Sequence, residues 1–183
     1  MTEENRGKRN AAQGSDDRRS GGMYGLGRRI QEAAQDLGQE IWYMEAEFDI
    51  AGLVRAALEA RDRAYTPYSH YTVGAALLTA EGDIYQGGNI ENASYGATNC
   101  AERTAIFKAV SEGRRRFRAI AIAGGLEGQE PVDYAYPCGI CRQVMKEFAG
   151  EDFRIIVAKT AADYRIYTLE ELLPHGFGGS SIR

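Results

Sequence analysis

The chain is poor in the features that mark secreted, membrane-spanning or nucleic-acid-binding proteins. It has three cysteines in 183 residues. An odd set cannot all pair as disulfides, which argues against a stapled extracellular scaffold. No apolar run reaches the roughly 18 residues that a membrane-spanning helix requires. The N-terminus is charged and has no apolar segment of the kind a secretory signal carries. Glu3, Glu4, Asp16 and Asp17 interrupt its basic residues, unlike a mitochondrial presequence. A basic excess is missing too: the net charge is −4 and the pI about 5.3, which disfavours a surface built to follow phosphates. Arg114, Arg115 and Arg116 are a counter-signal, read here as a solvated helix end where cations favour the negative end of the dipole. These absences predict a cytoplasmic chain that keeps its thiols reduced, with neither membrane nor nucleic acid as partner.

What is present is ordinary for a globular domain: 44% hydrophobic and 26% charged residues, enough to build one sizeable core. Residues 1–22, rich in Gly, Ser, Asn and mixed charge, read as a disordered tail. Residues 23–48 read as a helical extension, because Ile30, Ala33, Ala34, Leu37, Ile41 and Met44 recur at helical spacing. The main domain is expected over 49–183. Ile50 to Leu58 is a predicted helix ending before Pro67. Val73–Thr79 and Ile84–Gln86 are strands joined by a turn at Glu81-Gly82-Asp83. Cys100–Val110 and Ile140–Phe148 read as helices, Phe117–Ala123 and Phe153–Ala158 as strands. Thr168-Leu169-Glu170-Glu171 has capping-box spacing and starts a short last helix. Strands alternating with helices imply an α/β fold with a mixed sheet.

The three cysteines form one pattern. Cys100 opens Cys100-Ala101-Glu102-Arg103, and Cys138 and Cys141 belong to Pro137-Cys138-Gly139-Ile140-Cys141. At the first turn of a helix, positions i and i+3 put both sulfurs on one side. Cys100 also sits at a predicted helix start. Two helix N-termini then aim positive dipole ends at one point and favour thiolates. Three thiolates hold Zn²⁺ and leave a fourth position for water. Their combined charge exceeds the ion's, so positive charge must be returned, and Arg103 is the side chain placed to donate to a cysteine sulfur. A structural zinc needs a fourth ligand, which His70 or His175 could supply. An open position with Glu102 beside it suits catalysis instead: a carboxyl able to take a water's proton and pass it on. That is the layout of a zinc hydrolase acting on an amino-substituted base.

Further motifs extend the pattern. Tyr68-Ser69-His70-Tyr71-Thr72-Val73-Gly74-Ala75-Ala76, Asn89-Ile90-Glu91-Asn92-Ala93-Ser94-Tyr95, Cys100 to Ala105, Pro137 to Val144 and Leu172 to Phe177 together resemble the small, homotetrameric class of cytidine deaminases. The resemblance spans roughly residues 49–177. It implies a three-layer α/β/α fold with a mixed five-stranded sheet and helices on both faces. It implies zinc, one ion per subunit, and hydrolysis of cytidine and deoxycytidine to the uridines. Carried over by position, Cys100, Cys138 and Cys141 match the zinc ligands and Glu102 the general acid/base. Asn89 and Glu91 match the pair that binds the ribose hydroxyl, although without the resemblance both read as turn residues. Ala101 falls among the substrate-binding positions. Gln143 matches a position supporting the site beside the metal cysteines. Tyr71 stands where an aromatic lies near the pyrimidine, usually phenylalanine, and Tyr136 where a small serine is common. Phe177 matches an aromatic that reaches a neighbouring subunit's pyrimidine, so sites at subunit interfaces are implied. Other readings are a deaminase of a modified or antibiotic nucleoside of the blasticidin type, a polynucleotide editor, and a structural zinc module. Asn89-Ile90-Glu91-Asn92 speaks for an ordinary ribose, and the acidic balance speaks against a polynucleotide.

Overall fold

The computed structural model describes residues 48–182. The expected tail (1–22) and extension (23–48, apart from Phe48) lie outside them. Asp49 opens the first helix, α1 (Ile50–Ala60): its carboxylate accepts the Gly52 N–H at 2.7 Å and satisfies a donor that the helix itself leaves free. Ile50, Leu53, Val54, Ala57 and Ala60 recur at helical spacing and are all buried. Strands β1 (Tyr71–Thr79) and β2 (Ile84–Gly88) pair antiparallel around the expected turn. Gly82 holds that turn with a left-handed φ of 96°, which costs glycine nothing. There follow α2 (Ala101–Ser111), β3 (Phe117–Leu126), α3 (Gly139–Phe148), β4 (Ala149–Thr160), β5 (Asp163–Thr168) and α4 (Leu169–Leu172). The arginine cluster lies beyond the end of α2. Arg114 pairs with Asp83 at 2.7 Å and Arg116 with Glu81 at 3.2 Å, so two of its members tie down the β1–β2 turn.

The five strands form one mixed sheet in the order β2-β1-β3-β4-β5. β1 pairs antiparallel with both β2 and β3, so β2 and β3 run the same way, and β4 runs parallel to β3. Strands β2 and β3 are each followed by a helix. The starts of α2 and α3 are therefore brought to the same edge of the sheet, outside the carboxyl ends of parallel-running strands. Gly87 lets α2 come close: a Cβ there would stand 2.5 Å from the Ala105 nitrogen and 2.6 Å from the Ala101 oxygen. Ala75, Leu77, Ile120, Ile122, Ile155 and Val157 form the core beneath α2 and α3 with Ala105, Ile106, Cys141 and Met145. α1 packs on β1 and β3 over the opposite face, which gives the three layers. Among the described residues no helix is long and apolar enough to cross a membrane.

β4 begins earlier than its apolar segment implies, and β5 has no counterpart among the strands delimited from sequence. Ala149-Gly150-Glu151-Asp152 is not strand-like, yet Ala149 pairs with Phe117. β5 is an edge strand with no fully buried residue, so no apolar alternation marks it.

Candidate metal centre

Cys100 is the N-cap of α2 and Cys138 the N-cap of α3. Cys141 lies in the first turn of α3 and is fully buried. The sulfurs of Cys100 and Cys138 are 3.8 Å apart, those of Cys138 and Cys141 3.6 Å, and all three ligand atoms lie within 4.8 Å of one another. Sulfurs held at roughly 2.3 Å by one tetrahedral zinc stand about 3.8 Å apart. The triangle thus fits the ion, and the thiols are free rather than bridged.

The electrostatics of the triangle follow from its neighbours. The neighbouring Cys141 thiol, together with the Arg103 guanidinium, brings the Cys100 thiol down to about 5. The Cys100 sulfur beside it, with burial, pushes the Cys141 thiol up. Arg103 reaches the Cys100 sulfur at 3.6 Å and the Thr98 carbonyl at 3.0 Å.

Among the described residues no His joins the triangle. His70 lies beside Glu127 at 3.3 Å, and the His175 N–H donates to Glu170. Among the described residues, no fourth metal-ligating side chain joins the three sulfurs.

Glu102 is 3% exposed. Burial raises its carboxyl to about 7, and the negative charge on Cys100 adds to the rise. A carboxyl that titrates near neutrality can both take and give a proton. Glu102 lines a cavity of about 270 Å³ together with Cys100, Cys138, Tyr71, Val73, Asn89, Thr98, Ile122, Ala135 and Tyr136. The cysteine triangle, Glu102, Tyr71 and Asn89 are therefore brought together.

The remaining expected residues are arranged around this cavity. Asn89 serves the fold as well as the cavity: its Oδ1 accepts the Val73 N–H at 2.8 Å and its Nδ2 donates to the Tyr71 carbonyl at 3.0 Å. One amide N–H and one lone pair remain for a ligand. Glu91 lines a second cavity of about 370 Å³ with Tyr68, Ser69, Tyr95 and Thr98. Thr98 lines both cavities, so they adjoin. The Ser69 hydroxyl and the Tyr68 N–H hold the Glu91 carboxyl below its usual value. Ala101 is fully buried in the first turn of α2. Phe177 is 61% exposed and is not among the residues lining the first cavity. Gln143 donates to the Phe177 carbonyl at 3.1 Å and so holds the C-terminal segment rather than a cysteine.

Sequence reasoning missed Thr98, Val73, Ile122 and Ala135 as lining residues, since small and aliphatic side chains carry no chemical signal. It also missed Arg142, whose Nε donates to the Pro137 carbonyl at 2.8 Å and whose guanidinium also donates to the Leu172 carbonyl at 2.6 Å. That side chain ties the cysteine loop to the end of α4.

Comparison with known proteins agrees with this geometry. Residues 49–158 match the family described as the cytidine and deoxycytidylate deaminase zinc-binding region. A cytidine deaminase of Halalkalibacterium halodurans is 50% identical over 125 residues, 68% of this chain and 91% of that protein. One from Sporosarcina psychrophila is 47% identical over 129 residues, 70% of this chain and 91% of that protein. The crystal structure of cytidine deaminase from Burkholderia pseudomallei superposes with a TM-score of 0.63 at 44% identity, covering 69% of this chain and 97% of that one.

Proposed function

This chain belongs to the cytidine and deoxycytidylate deaminase zinc-binding family, and from that premise we propose that it hydrolyses cytidine and 2′-deoxycytidine to the uridines with release of ammonia. One observation carries the reading: three sulfurs are held at the spacing one zinc ion takes, and two of them line a cavity with a buried carboxyl that titrates near neutrality.

Cys100, Cys138 and Cys141 are the residues that hold the ion. When bound, zinc supplies an acidified water as the nucleophile. Glu102 accepts that water's proton and delivers it to the ring nitrogen beside the amine-bearing carbon. It would then carry the remaining proton of the added hydroxyl to the departing amine, so one C–O bond forms and becomes the new carbonyl, one C–N bond breaks and ammonia leaves. Arg103 offsets the charge of the Cys100 thiolate. Asn89 and Glu91 bind the sugar hydroxyls, and Tyr71 lies against the base. Phe177, exposed at the end of a segment pinned by Gln143 and Arg142, reaches a neighbouring subunit's cavity. The active species is accordingly a homotetramer, acting in the cytoplasm in pyrimidine salvage.

The test is zinc quantification of the purified protein beside an ultraviolet assay of cytidine loss. The reading requires about one zinc per chain and turnover of both nucleosides that is abolished by a chelator and restored by zinc. Zinc-loaded protein that leaves both nucleosides untouched contradicts it.

A further inference from the structure

A second side-chain cluster adjoins the cavity and has no part in the chemistry above. Asp163, Arg165 and Tyr167 alternate along β5, so they share one face of that strand. The face is the one that carries Ile155 and Val157 on β4, since Tyr167 pairs with Ile155 and Arg165 with Val157. All three residues grip the segment that leads into Cys138. The Tyr134 hydroxyl donates to Asp163, which also pairs with Lys159 at 2.7 Å. The Arg165 guanidinium lies 4.3 Å from the Tyr134 ring centroid, a cation–π distance. It also donates to the Tyr136 hydroxyl at 3.3 Å, and that hydroxyl shares a 3.0 Å hydrogen bond with the Tyr167 hydroxyl. The Tyr136 and Tyr167 rings meet at 60° with centroids 5.8 Å apart.

Tyr136 is the member of this cluster that lines the cavity, next to Cys138 and Ala135. Its ring is thus a wall fixed at its far end by two partners on β5. In the reaction proposed above, the amine-bearing carbon must lie beside the sulfurs and Glu102, while the sugar points toward Asn89 and Glu91. Tyr136, two residues before Cys138 on the same loop, lines the cavity together with that cysteine and Glu102, which is where the amine-bearing carbon must lie. A pinned aromatic ring cannot swing aside to admit a larger group there.

We propose that Tyr136 is a specificity-determining residue that excludes cytosine nucleosides substituted on the exocyclic nitrogen, and that Arg165 is the positioning residue that holds its ring in place. This inference rests on the deamination reading. Turnover of cytidine by the unmodified protein tests that reading separately. A protein that deaminates cytidine but fails the test below loses only the role of the wall.

The test is the ratio of kcat/KM for N4-methylcytidine to that for cytidine in zinc-loaded protein. Tyr136→Ala is expected to raise the ratio by about tenfold or more, the scale on which one methyl group is discriminated in a close-fitting pocket. The ratio of deoxycytidine to cytidine, which reads the sugar end, is expected to stay within about twofold. Arg165→Met is expected to raise the first ratio by a smaller factor and to raise KM for cytidine more than it lowers kcat. Because Arg165 acts through Tyr136, the double variant is expected to show no further change in the ratio over Tyr136→Ala alone. A Tyr136→Ala ratio within about twofold of the unmodified protein overturns the proposal, as does an equal shift in the sugar ratio. Additive effects in the double variant overturn the role of Arg165. If Tyr136→Ala does not fold, Tyr136→Phe, which keeps the ring but removes both pins, is expected to move the ratio in the same direction, and an unchanged ratio overturns the proposal.

Discussion

Glu102 and Gly124 are residues whose surroundings decide what a substitution does. Glu102 lies in the first turn of α2, two residues past a cysteine N-cap and nearly free of solvent. The sequence shows the carboxyl next to a thiolate, but it does not show the burial that brings its titration to neutrality. Gly124, on β3, makes room for the cavity wall. A Cβ there would stand 2.8 Å from the Ala135 Cβ and 3.1 Å from the Tyr71 Cε1, both on residues that line the cavity. Gly124→Ala should therefore displace the wall. The expected results are a several-fold rise in KM for cytidine and a stability loss of about 1–3 kcal/mol from overpacking. Steady-state kinetics and thermal unfolding check both, and an unchanged KM with an unchanged melting temperature contradicts the geometry. Asn89 shows the limit of motif reading. Both ends of its amide brace the β1 backbone, so Asn89→Ala should cost stability of about 1–3 kcal/mol as well as nucleoside affinity. Denaturant titration beside substrate binding separates the two losses, and full stability in the variant contradicts the bracing role.

At the scale of elements, the starts of α2 and α3 meet because β2 and β3 run the same way and each is followed by a helix. The cysteine spacing foretold both helix starts, and the strands β1 to β4 were legible from apolar runs and one glycine turn. β5 was not: as an edge strand it carries Asp, Arg and partly exposed tyrosines, so burial leaves no pattern in its sequence. The contacts that lock the cysteine loop were equally hidden, because a side chain reaching a backbone carbonyl has no sequence signature. Arg142 is the clearest case. Arg142→Met frees the Pro137 and Leu172 carbonyls and should weaken zinc retention by about 10–100-fold, the usual scale for losing a group that orients metal ligands. Arg142→Lys should recover part of it. Competition with a chromophoric chelator measures this directly, and zinc retention equal to the unmodified protein's rules it out. The exposed pairs of Arg114 and Arg116 at the β1–β2 turn should matter far less, within about 1 kcal/mol each.

At the scale of the whole molecule, the sequence pointed to one α/β domain with a mixed sheet, and the described residues form it. The resemblance, rather than any periodicity, supplied the fifth strand. Assembly is the property with the largest consequence still to test. Phe177 is mostly exposed and is not among the residues lining the first cavity, and the proposed assembly gives it a role in a neighbouring subunit. A chain truncated after Pro174 should bind cytidine weakly even when zinc-loaded, and the full chain should sediment as an oligomer. A fully active monomer contradicts this account.

Everything proposed for this chain depends on a catalytic three-cysteine site whose protons Glu102 moves. Glu102→Gln keeps the shape and removes the titrating group. Zinc content and cytidine turnover measured on the same preparation test the claim most directly. The expected result is about one zinc per chain, as in the unmodified protein, with turnover reduced by about 10²–10⁴-fold or more. A variant that keeps its zinc and most of its turnover contradicts it.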